Sequence, residues 1–223
     1  GQHRIEYEVI EGWEQMPEGW AFVEVAGVAC DSQDRVYVFN RGAHPMIVFD
    51  KEGKFLNAWG EGMFKGPHGI FIDREDYLWL ADDKNHVVHK FTGDGKKLMT
   101  LGEPGQAADT GYKIGASPVL RAAGPFHRVT NVAVLPGGDM YIADGYGNAR
   151  VHKFAADGTH LLSWGEPGTG PGEFNLPHSV WIARDGRVLI ADRENDRVQV
   201  FDQSGKLLRI WPTKLVAPNT TRS

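Results

Sequence analysis

PHGIFIDREDYLWLAD (residues 67–82) and PHSVWIARDGRVLIAD (residues 177–192) are two copies of one unit. Each opens on Pro-His, runs through an apolar stretch and closes on Ala-Asp. Two further copies share the frame without the histidine. Ala26 stands before Gly-Val-Ala-Cys-Asp, and Thr130 before Asn-Val-Ala-Val. A recurring unit of this length signals a modular architecture and is read before any local element. The copies cover residues 27–62, 68–105, 130–168 and 178–212. The equivalent residues Phe39 and Ala81 lie 42 positions apart, and Ala143 and Ala191 lie 48 apart. The middle spacing is 62, because residues 103–129 are an insertion.

Within each copy the apolar period is two, as at Val36 and Val38 or Val188 and Ile190. That is a strand signal, and no helical run of three turns is present. Glu52-Gly53, Asp94-Gly95 and Asp157-Gly158 separate the last two strands of their copies and suit tight hairpins. Four short strands in a unit of about 40 residues describe a propeller blade. The sequence therefore predicts an all-β protein, a single β-propeller domain over residues 1–223 with four visible blades. Blades stacked round an axis put equivalent positions on one ring. His68 and His178 are expected on that ring, in alternate blades, where they can share a metal.

Composition narrows the partners. The net charge is −5, with no Lys/Arg cluster, which argues against nucleic acid or an anionic membrane surface. No apolar run approaches the ~18 residues of a membrane-spanning helix. The single cysteine, Cys30, has no internal disulfide partner and reads as a small buried side chain in an apolar strand. No signal peptide is evident, which suits a soluble protein, cytoplasmic or secreted after processing.

Five motifs occur in order: Pro-His-Gly-Ile at 67, Asp-Gly-Tyr-Gly-Asn-Ala-Arg at 144, Trp-Gly-Glu-Pro-Gly at 164, Phe-Asn-Leu-Pro-His-Ser at 174 and Ala-Asp-Arg-Glu-Asn-Asp-Arg at 191. The last resembles an NHL-type repeat. Together, over Gly27 to Trp211, they resemble the peptidyl-α-hydroxyglycine α-amidating lyases and their bacterial relatives. The resemblance implies a six-bladed propeller with zinc held in its central cavity by three histidines, two of which match His68 and His178. It implies a catalytic tyrosine at Tyr146 and two arginines at Arg41 and Arg193. It also implies a structural calcium bound partly by the backbone carbonyls of Val28 and Ile70. The family's third histidine lies in a later Pro-His-Asp motif, beside a calcium-binding aspartate, and neither is found in this sequence. Truncation is the economical account of four blades where six are expected, and open blade edges would favour self-association.

The repeat alignment singles out the same residues. After the second strand, equivalent positions hold Arg41, Asp83, Gly145 and Arg193, and the next positions hold Gly42, Lys84, Tyr146 and Glu194. These loops are expected at the mouth the histidines occupy. Guanidinium matches a carboxylate bidentately, so Arg41 and Arg193 can hold an acidic substrate, or can instead pair with acids nearby such as Asp144 or Glu194. Tyr146 lies between two glycines and can serve as a proton acceptor or as a packed turn residue. Asp82, Asp144 and Asp192 recur at equivalent positions of the second, third and fourth copies, as do Asn85, Asn148 and Asn195. Recurrence points to structural turn contacts. His89 and His152 read as structural residues of an outer strand, and the insertion has the length of a lid over the channel mouth.

The expected activity is a metal-dependent cleavage of a peptidyl-α-hydroxyglycine-like carbinolamide to an amide and glyoxylate, on a peptide or small molecule bearing a carboxylate. Two alternatives stand beside it. One is a non-catalytic NHL-repeat propeller that binds a protein or peptide. The other is a calcium-dependent propeller lactonase or esterase, whose channel ion is held mainly by Asp, Glu or Asn.

Overall fold

A computed structural model describes residues 7–115 and 119–212. The alternation seen in the sequence becomes four sheets, each of four antiparallel strands in sequential order. Blade 1 holds β1 (Val25–Cys30), β2 (Val36–Asn40), β3 (Met46–Phe49) and β4 (Phe55–Trp59). Blade 2 holds β5 (Pro67–Ile72), β6 (Leu78–Asp82), β7 (Val87–Phe91) and β8 (Lys97–Leu101). Blade 3 holds β9 (Val129–Val134), β10 (Met140–Asp144), β11 (Arg150–Phe154) and β12 (His160–Trp164). Blade 4 holds β13 (Pro177–Ile182), β14 (Val188–Asp192), β15 (Arg197–Phe201) and β16 (Leu207–Pro212). The first strands β1, β5, β9 and β13 are neighbours in that order, which makes them the inner strands of a propeller. Short 3₁₀ turns at Asp83–Asn85 and Arg193–Asn195 are the only helical elements among the described residues. No helix is long and apolar enough to cross a membrane.

Alternation assigns each strand two faces, and the faces pack between blades. Tyr37, Phe39 and Trp59 of blade 1 meet Leu78, Leu80 and Phe91 of blade 2. Trp79 and Val88 meet Val132, Met140 and Phe154 of blade 3. Tyr141 and Val151 meet Val188, Ile190 and Phe201 of blade 4. Each large side chain buried in these layers contributes roughly 1.5–3 kcal/mol. The other face of blade 1, carrying Val38, Ile47 and Phe49, is covered by Trp13, Met16, Trp20 and Phe22 of the N-terminal segment. On blade 4, Trp181 stands 62% exposed.

Cys30 is exposed, which corrects the expectation that it is buried. It shares a face of β1 with Val28, which is 55% exposed. An apolar strand was a poor guide here, because this inner strand has one face that no described blade covers.

Every inner strand slips register by one residue where it enters its sheet. Val25 pairs with Asn40 and Gly27 with Phe39, so Ala26 is the extra residue. The same slip falls at His68-Gly69, at Thr130 and at His178. A bulge of this kind re-aims a side chain out of the alternating pattern. The recurring aspartates hold the loops that feed it. Asp82 accepts the amides of Lys65 and Gly66, Asp144 that of His127, and Asp192 that of Asn175. Asn148 and Asn195 donate to Asp144 and Asp192. His89 and His152 lie on the third strand of their blades and are buried. His152 reaches Asp144, as Gln199 of blade 4 reaches Asp192, so this position stitches strand three to strand two.

Candidate functional site

The bulges of blades 2 and 4 send His68 and His178 to one point. Each Nε2 lies 3.1 Å from the hydroxyl of Tyr146, and the two imidazole rings are 4.9 Å apart between centroids. Nδ1 of His68 lies 2.6 Å from the backbone carbonyl of Thr130, the ring residue of blade 3. A carbonyl only accepts, so Nδ1 carries the hydrogen and Nε2 of His68 keeps its lone pair. The Tyr146 hydroxyl can then donate to Nε2 of His68. Burial lowers the pKa of both histidines, that of His178 to about 4, with His68 and Arg193 as further causes. Both rings are therefore neutral near pH 7, the form that binds a metal.

Tyr146 is held by close approach of backbone on both sides. A Cβ on Gly145 would strike the carbonyl of Pro177, and one on Gly147 would strike His127. The glycine flanks seen in the sequence thus let the Tyr146 turn dock against blade 4 and the insertion. Arg193 lies with Cζ 5.5 Å from the Tyr146 ring centroid, while its Nε donates to Glu194. The Arg193–Glu194 ion pair coexists with the stack on Tyr146.

Arg41 is placed differently. Its Nε donates to the carbonyl of Pro67, and Nη1 pairs with Glu24 at 3.1 Å. It stands beside His68 rather than on the tyrosine, and its charge disfavours protonation of that ring. Val28 and Ile70 lie on the adjacent inner strands β1 and β5, drawn together where Gly27 packs on Ile70 and the carbonyl of His68.

A further arginine belongs to the cluster and escapes the repeat alignment. Arg128 lies with Cζ 5.1 Å from the Tyr146 ring. Its Nη2 pairs with the buried Asp83 at 2.6 Å, and Nη1 donates to the Tyr112 hydroxyl at 3.0 Å. It ends the insertion, where no repeat register exists to flag it. The one signal available is its place two residues before Thr130, matching Gly66 before His68 and Leu176 before His178. The insertion itself packs onto the tyrosine turn, where Thr110 Oγ1 donates to the carbonyl of Gly147 and the Gly147 amide donates to the carbonyl of His127 at 3.0 Å.

The donor set fits part of a zinc centre. Two neutral imidazole nitrogens converge on one oxygen, and one of them is oriented by a carbonyl behind it, the arrangement metal-binding histidines use. Among the described residues no third His, Cys, Asp or Glu completes the group. Calcium asks for six to eight oxygen ligands. The Val28 and Ile70 carbonyls would supply two of them.

Comparison with known proteins agrees with this architecture. The NHL repeat model matches residues 174–201. NHL repeat-containing protein 3 of Homo sapiens is 36% identical over 221 residues, covering 93% of this chain and 60% of that protein. Peptidyl-alpha-hydroxyglycine alpha-amidating lyase 1 of Drosophila melanogaster is 38% identical over 161 residues, covering 67% of this chain and 27% of that protein. The chain thus spans about three fifths or less of these curated relatives. A solved streptogramin B lyase superposes with a TM-score of 0.66 at 14% identity, over 89% of this chain and 58% of that one, which speaks to the propeller fold alone.

Proposed function

We propose, for a chain that belongs to the NHL-repeat propeller family of the peptidyl-α-hydroxyglycine α-amidating lyases, that the cluster of His68, His178 and Tyr146 cleaves an α-hydroxyglycine-like carbinolamide to an amide and glyoxylate. The observation that carries this reading is the convergence of both Nε2 atoms on the Tyr146 hydroxyl. A phenol held there has one role that a packed turn residue lacks: it meets any group that binds between the imidazoles.

In the reaction, Tyr146 acts as the phenolate, having given up its own proton before substrate binds, and takes the proton of the substrate hydroxyl to become the neutral phenol. The oxygen's electrons form the aldehyde C=O of glyoxylate, and the C–N bond breaks with its pair going to nitrogen. Tyr146 returns the proton to that nitrogen, which leaves as the amide. Arg193 holds the substrate carboxylate beside the phenol, and Arg41 adds positive charge on the His68 side. His68 and His178 would hold a zinc ion, which would polarise the substrate hydroxyl or carboxylate as a Lewis acid. Calcium at the Val28 and Ile70 carbonyls would brace the inner strands and take no part in the chemistry.

The test is metal content by mass spectrometry, on protein purified without added metal and on a His68→Ala/His178→Ala variant, together with turnover of an α-hydroxyglycine peptide. The expected result is about one zinc per chain, lost with the turnover in the variant. Absence of both metal and turnover from the unaltered protein would overturn the lyase reading in favour of a partner-binding propeller.

A further inference from the structure

The inner strands have a second end, and its residues follow the same alternation by blade. Six positions after the ring of Ala26, His68, Thr130 and His178 stand Ser32, Arg74, Pro136 and Arg184. Blades 2 and 4, which carry the histidines, carry the arginines too. Six strand residues at ~3.3 Å each separate the two rings by about 20 Å, so the arginines lie at the opposite mouth.

Arg74 and Arg184 line one cavity of about 510 Å³. Its apolar wall comes from Phe71, Ile72, Val134, Leu135 and Ile182 of three blades. A cavity of this size matches small-molecule sites. Neither arginine makes a hydrogen bond or ion pair among the described residues. The carboxylates beside them are already engaged. Asp73 accepts the Trp79 indole N–H at 2.8 Å and the amides of Glu75 and Tyr77. Asp185 accepts Nε of Arg187 at 2.8 Å. Two uncommitted guanidiniums over an apolar wall are complementary to an anion with an apolar body.

We propose that this second mouth is a binding site for an organic carboxylate with a short apolar tail, separate from the histidine cluster. The guanidiniums of Arg74 and Arg184 take the carboxylate, and the wall of Phe71, Val134 and Ile182 takes the tail. The site does not depend on the lyase reading, since none of its residues touches the histidines or Tyr146.

Isothermal titration with hexanoate, hexanol and inorganic phosphate tests it, on the unaltered protein, on Arg74→Gln, Arg184→Gln and the double variant, and on His68→Ala/His178→Ala. Hexanoate is expected to bind saturably. Each single variant weakens it about tenfold or more, as loss of a charged hydrogen bond does, and the double variant abolishes it. The histidine variant leaves it unchanged. Hexanol is expected not to bind. Both arginines are exposed, so matching thermal melts will show that the variants fold. No saturable hexanoate binding, or binding unaltered in the double variant, overturns the proposal. Phosphate bound as tightly as hexanoate overturns its apolar half.

Discussion

Blades 2 and 4 differ from blades 1 and 3 at the bulge position of the inner strand, while all four share the strand order, the bulge and the pattern of inward apolar faces. His68 and His178 converge on Tyr146, whereas Ala26 and Thr130 fill the same bulge with a methyl and a hydroxyl. The bulge is therefore a property of the fold, and the imidazole is a property of the site. Thr130 shows that the quieter blades still contribute. Its carbonyl orients His68, and its hydroxyl, with a single proton to donate, lies between the carbonyls of Ala143 and Pro177, 3.0 and 3.1 Å away.

The contrast is broken most severely at the tyrosine that joins the two active blades. Tyr146→Phe removes the proton carrier and keeps both imidazoles. Turnover of an α-hydroxyglycine peptide is expected to fall by about 10²–10⁴, with metal content retained. Unchanged turnover would sink the role given to the phenol.

The second test moves to the third strand, where blade 2 carries His89 and blade 4 carries Gln199. Burial lowers the His89 pKa to about 4. The unfolded chain takes up this proton near pH 6.5 and the folded chain does not until about 4. Between those values the unfolded state binds more protons, so stability falls as pH falls, by up to roughly 3 kcal/mol from this group. His89→Gln, which copies blade 4, is expected to flatten the stability profile over that window, read by urea unfolding at several pH values. A profile as steep as before would mean that His89 titrates as it does in the unfolded chain.

The smallest effect separates orientation from packing in blade 3. Thr130→Val removes the one buried hydroxyl proton shared by the Ala143 and Pro177 carbonyls but keeps the carbonyl that orients His68. A loss of about 1–2 kcal/mol in stability is expected, with kcat and metal affinity unchanged. A fall in metal affinity would show that the hydroxyl, too, sets the ring.

Much of this was readable before any coordinates, because a repeat converts sequence position into location. The alternation at Val36 and Val38 gave the strands, and the frame around Pro67 and Pro177 gave the ring. What could not be read lies where the frame stops. Arg128 ends an insertion with no counterpart in the other copies, so alignment is silent on it, although it stacks on Tyr146 as closely as Arg193 does. The bulge is likewise invisible, since a register slip leaves no trace in residue type. Arg41 and Arg193 are equivalent in the repeat, and the sequence does not show that their neighbours differ, with Arg41 Nε donating to the Pro67 carbonyl and Nη1 to Glu24. Cys30 was misplaced because burial of an inner strand depends on its neighbours, not on its own apolarity.

The recurring bulge also bears on how such chains diverge. Duplicating a blade copies an aiming device together with whatever residue it holds, and a single substitution then empties or fills it without disturbing a core contact. Ala26 is such a spare socket. A lineage built this way can gain or shed chemistry one blade at a time while its architecture is inherited whole, which suits a chain similar both to a protein named for a lyase reaction and to one named only for its repeats.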